Sequence, residues 1–201
     1  MSNELQAEAE ELKAYAAQHP ELGAAKHHVF DEIRPKGAKP EFVVMGINPG
    51  ESNRPEGGWT KRICEYTEDR PFVMTELFFW SSKDRSDLER RYGPIETHLP
   101  FCIGLNKRLI AHYRPKAVLC PGLGMIRLCV GANRFSLTHE RTERRSPPNG
   151  SARIDRVYEV YRGKDGIPWF FTRHWTGARG FPNAYKELIK EALRQETLGN
   201  G

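Results

Sequence analysis

Three side chains in this sequence place versatile chemistry at the ends of apolar runs or within one. Asn48 interrupts "EFVVMGINPGESN" directly after an apolar stretch, between Ile47 and a Pro-Gly pair. An amide donates and accepts hydrogen bonds at once, so Asn48 has the means to hold a water against a reacting carbon. The same amide also serves as a turn residue bonded to its own backbone. His174 follows the apolar run "PWFFTR". Its imidazole can donate a hydrogen bond to a developing anion, or it is a structural histidine at a strand end. Glu76 lies within "FVMTELFFW". There an ionised carboxylate can only accept hydrogen bonds, or it makes a structural ion pair with an arginine.

These residues need elements to hold them. Residues 42–45 read as a short buried strand, 72–79 as a second with Thr75 and Glu76 in its middle, and 117–120 as a third. Residues 157–161 and 169–172 read as two more strands, joined by "RGKDGIP" with its Lys-Asp-Gly turn signal. Helices are expected over 5–17, with Leu5, Ala9, Leu12 and Ala16 on one face, over 105–113, and after "PGLG". A last helix opens at Pro182 and has Ala184, Leu188 and Ala192 on its apolar face. Strands alternating with helices imply an α/β layer fold with a largely parallel sheet. Ligands of such sheets bind at the carboxyl ends of the strands. The loops after Met45, Phe79 and Thr172 converge there, carrying Asn48, Trp80 and His174. Residues 51–60, rich in Gly and Pro, read as a loop or lid. Trp59, Trp80, Trp175 and Phe181 fall in loops, where aromatic faces stack on nucleobases or pack into the core.

The 201 residues suit one domain: a helical extension over 1–36, then an α/β domain over 37–198. The arginine-rich stretch "HERTERRSPPNGSARIDR", 139–156, reads as a flexible basic insertion able to meet phosphates. A net charge of +5 favours a polyanionic partner mildly. No run of about 18 apolar residues occurs, so no membrane span is expected. The N-terminus lacks the basic and apolar regions of a signal peptide, which points to a cytoplasmic protein. Cys64, Cys102, Cys120 and Cys129 form no C-x-x-C pair, and the adjacent His27 and His28 would not face one way on a helix. Neither a metal nor a cofactor is expected. The Gly-x-Gly of "CPGLGMIR" lacks the third glycine of a dinucleotide fingerprint and reads as a strand-to-helix turn.

"VVMGINPGES" resembles the first motif of the uracil-DNA glycosylase superfamily, closest to its mismatch-specific and single-strand-selective branches. "RHWTGARG" stands where that superfamily has its second motif. The resemblance spans residues 41–193 and implies a three-layer α/β/α sandwich around a mostly parallel, four-stranded sheet. It implies excision of uracil or a related base from single- or double-stranded DNA. Asn48 would position the attacking water and His174 would bond the departing base. Ile47, Trp59 and Glu76 would contact the flipped base, and Gly50, Ser52, Thr176, Gly177, Arg179 and Phe181 the DNA. The sequence departs from the family pattern at three places. Glu76 replaces the asparagine that reads uracil, Ala178 the wedge leucine, and Trp175 the usual proline. The cysteine spacing of the iron–sulfur branch is absent. Two rivals remain: a non-catalytic nucleic-acid binder on this scaffold, and a hydrolase of nucleosides or nucleotides.

Overall fold

The computed structural model describes residues 3–22, 35, 37–47, 58–83, 85–147, 154–175 and 183–198. In chain order, α1 (Asn3–Gln18) precedes β1 (Phe42–Gly46), and α2 (Gly58–Thr67) precedes β2 (Phe72–Glu76). The helices α3 (Arg85–Tyr92) and α4 (Ile95–Tyr113) lead to β3 (Ala117–Pro121). After α5 (Met125–Cys129) come β4 (Thr138–Arg145), β5 (Asp155–Arg162) and β6 (Pro168–Thr172), and α6 (Asn183–Leu198) closes the chain.

The strands form one six-stranded sheet in the order β2-β1-β3-β6-β5-β4. Its first four members are mutually parallel. These correspond to the four-stranded sheet that the resemblance implies. β5, expected as a strand over 157–161, extends it antiparallel to β6, and the structure adds β4, antiparallel to β5.

Parallel strands covered on both faces are apolar throughout, and β1 shows why. Phe42 and Val44 face a core closed by Ile63 and Tyr66 of α2 and by Ile189 and Leu193 of α6. Val43 and Met45 face the opposite core, closed by residues of α1, α3, α4 and α5 such as Leu12, Leu88, Leu99 and Leu128. The molecule is therefore a three-layer α/β/α sandwich. α1 belongs to the second outer layer instead of trailing from it: Leu12 and Leu22 are fully buried, and Tyr15 stacks on Phe101 with ring centroids 3.8 Å apart.

Several expected boundaries move. Residues 139–156 supply β4 and the start of β5; residues 148–153 lie outside those described. β4, "THERTERR", has no apolar residue to signal a strand. It is an edge strand, held by pairing to β5 and by ion pairs such as Arg162–Glu140 and Arg141–Glu196, and charged side chains suit such an edge. α4 begins ten residues before the expected 105 and continues through Pro100. That proline sits in the second turn, where it forfeits one backbone bond without stopping the helix. α2 begins at Gly58, which puts Trp59 on a helix and not in a loop. Trp80 and Trp175 are buried in the two cores, so neither is a loop aromatic available for stacking on a base. No helix among the described residues is long and apolar enough to cross a membrane.

Candidate functional site

The carboxyl edge of the four parallel strands gathers those predicted residues that the structure describes. At its β6 end, His174 is suspended between two anchored neighbours. The backbone N–H of Arg173 donates to the Val157 carbonyl at 3.1 Å, and its guanidinium pairs with Asp155 at 2.5 Å. Asp155 also accepts a bond from the Tyr185 hydroxyl on α6, 3.1 Å away. On the other side, Trp175 is buried and stacks on Tyr66 of α2, with centroids 4.0 Å apart and planes 14° from parallel. Its carbonyl accepts a bond from the Arg62 guanidinium. The chain on either side of His174 is thus pinned to β5, α6 and α2, while His174 itself is exposed.

Trp59, half-buried on the first turn of α2, lies beside the imidazole. Its ring stacks on that of His174 with centroids 5.8 Å apart and planes 21° from parallel, and it meets Trp175 at 5.5 Å. Burial on the protein side, helped by the nearby Arg62 cation, holds the His174 pKa below the ordinary histidine value. Although the ring's outer part meets solvent, both influences disfavour the imidazolium, so the ring is neutral at pH 7. A neutral imidazole has one N–H to donate.

The β1–β2 end of the edge has a different construction. Gly46 and Glu76 are register partners at the ends of their strands. The Glu76 carboxylate lies so close over Gly46 that a Cβ there would stand 2.1 Å from its Oε2. Glycine at position 46 is what makes room for the carboxyl group. The backbones stay zipped beyond the strands: Leu77 N–H donates to the Gly46 carbonyl and Phe78 N–H to that of Ile47, both at 2.8 Å. The Ile47 side chain packs against the core on the α4 side. Asn106 of α4 holds the end of β2 from below. Fully buried, it accepts from the Thr75 hydroxyl at 2.8 Å and donates to the Glu76 and Cys102 carbonyls at 3.0 Å.

Glu76 and His174 therefore mark opposite ends of one edge, with β1 and β3 between their strands. Three strand spacings separate β2 from β6, about 14 Å. Asn48, Gly50, Ser52, Thr176, Gly177, Arg179 and Phe181 lie outside the described residues.

Sequence reading missed Arg62, Asp155 and Asn106. Arg62 follows Trp59 by three positions, the spacing of neighbours on one helix face, but 51–60 read as a loop. Asn106 had a signal: a polar residue beside the inward-facing Leu105 of an amphipathic helix. Asp155 had none, because its partners are distant in sequence. Compared with known proteins, the chain matches no family model and no curated protein.

Proposed function

We propose that the chain is a DNA N-glycosylase that releases a deaminated or otherwise modified base. The observation that carries this reading is His174, presented between two anchored residues and stacked on Trp59 at the carboxyl edge of the parallel strands. β1 ends at the same edge, and in the sequence Ile47 is followed by Asn48, Pro49 and Gly50.

In this reading the target nucleotide leaves the stack, because its glycosidic bond is inaccessible within a duplex. The bond from the sugar C1′ to the base nitrogen breaks, and its electron pair leaves with the base. The N–H of His174 donates to the base as negative charge builds there; one preorganised donor of this kind is commonly worth about 3 kcal/mol. Water positioned by Asn48 adds to C1′ and releases its proton, leaving an abasic sugar. An amide is a poor base, so the rate rests on departure of the base more than on activation of water. Glu76 favours a base edge that presents hydrogen-bond donors, since an ionised carboxylate offers acceptors alone.

The test is base release from labelled single- and double-stranded oligonucleotides carrying uracil, thymine opposite guanine, hypoxanthine, xanthine or an alkylated base, with alkali cleaving the abasic site. His174→Ala and Asn48→Ala should each lower release more than tenfold with the circular dichroism spectrum unchanged. Unchanged rates in both variants would overturn the assignment. Binding without cleavage of any substrate would favour the non-catalytic binder, a reading that the carboxylate of Glu76 motivates. Turnover of free nucleosides without DNA affinity would favour the nucleoside hydrolase.

A further inference from the structure

On the opposite face of the sheet, a histidine and a glutamate of one turn meet a histidine of a helix distant in the chain. The turn after α1 carries His19 and Glu21, and α4 carries His98. One ligand-capable atom from each lies within 4.8 Å of the other two. The turn is well fixed: Leu22 N–H donates to the His19 carbonyl at 2.8 Å, and the Leu22 side chain is fully buried. Pro20 stiffens the backbone between the two ligands.

The spacing fits shared coordination better than hydrogen bonding. His19 Nδ1 and His98 Nε2 each stand 3.4 Å from the same Glu21 oxygen, Oε1. Good N–H···O bonds span about 2.7–3.2 Å. Donor atoms sharing a tetrahedral zinc at about 2.0–2.1 Å stand about 3.3–3.4 Å apart.

The outer contacts complete the arrangement. The other nitrogen of the His98 ring, Nδ1, lies 3.1 Å from the Tyr15 hydroxyl, so Nε2 is the atom turned toward Glu21. A metal-bound histidine usually has such a partner on its second nitrogen. His98 is buried, whereas the Glu21 side chain is 40% exposed, which provides a route of entry from solvent.

We propose that His19, Glu21 and His98 bind a divalent first-row transition ion, zinc foremost, as a clasp between α1 and α4. Two imidazoles and one carboxylate select this class over magnesium or calcium, which prefer oxygen donors throughout. Three protein ligands leave one tetrahedral position for a solvent molecule. The clasp ties the N-terminal helix to the layer that contains Asn106, and it does not depend on the glycosylase reading.

The test uses the full chain, stripped with chelator and titrated with cobalt(II), whose visible spectrum reports tetrahedral coordination. One cobalt per chain is expected, displaced by zinc, with zinc raising the thermal midpoint. His19→Ala and Glu21→Gln, both at surface-accessible positions, should each weaken cobalt binding about tenfold or more while the fold is retained. A His27→Ala/His28→Ala chain controls for the adjacent histidine pair. The proposal is overturned if the stripped chain takes up no cobalt. It is equally overturned if His19→Ala and Glu21→Gln bind as well as the parent chain, or if binding is lost in the His27→Ala/His28→Ala chain alone.

Discussion

The two helical faces of the sheet treat polar groups differently. Against α2 and α6, aromatic rings fill the space to the rim, and the ionisable group of interest, His174, stands at the strand ends where solvent reaches it. Against α1 and α4, polar groups lie beneath helices. Asn106 and His98 are almost wholly buried, and each is met by polar partners. On the first face the buried hydroxyls of Thr67 and Thr197 bond back to carbonyls of their own helices, and an imidazole is presented outward. On the second the surroundings consume hydrogen-bonding capacity inside, as burial of polar groups requires. Removing a side chain exposed at the rim should therefore separate activity from stability, whereas removing one buried on either face should cost stability itself.

The largest effect is expected at Trp175. Replacing this buried ring with alanine should cost about 3–5 kcal/mol, measured by denaturant unfolding. Trp59→Ala removes a ring that is only half-buried, so it should cost clearly less stability and act on base release instead. Equal stability losses at the two positions would erase the distinction between an anchoring and a presenting tryptophan.

A smaller effect is expected at Asn106. Asn106→Ala leaves the Thr75 hydroxyl and the Glu76 carbonyl short of their buried partner and should cost about 1–3 kcal/mol. Because Asn106 holds the end of β2, base release should fall further than the unfolded fraction explains. A rate loss matching the unfolded fraction would confine Asn106 to a structural role.

The smallest effect is the pH dependence at His98. An unfolded histidine titrates near pH 6.5, and burial lowers the folded value. As pH falls through the window between the two, the unfolded chain binds more protons and stability declines. The groups facing this ring are Tyr15, His19, Glu21 and the Tyr92 carbonyl. With chelator present, the thermal midpoint should drop on acidification from about pH 7 to 5, more in the parent than in a His98→Gln chain. Equal drops would show that other groups govern the response.

Much of the architecture was legible in the sequence. β1, β3 and β6 are apolar at every position but Thr172, which is what burial on both faces demands, and "RGKDGIP" marks its own turn between β5 and β6. Less of the site could be read. Helical phase alone does not reveal that Trp59 would reach His174, more than a hundred residues away. Nor does β4, polar on both faces, carry any periodicity that distinguishes it from a solvated loop.

The sequence by itself determined the layered α/β class, the parallel strands, and the placement of His174 at a strand end, because these follow from local hydrophobic pattern and turn chemistry; it read Glu76 as mid-strand, whereas β2 ends at Glu76. Only the tertiary structure decided which of the tryptophans are buried and which one faces His174. It alone set the carboxylate of Glu76 over Gly46, pinned Arg173 to Asp155, and brought His19 and Glu21 to His98. Each of these depends on packing between elements far apart in the chain, where side-chain volume and the satisfaction of buried polar groups act together and leave no local trace.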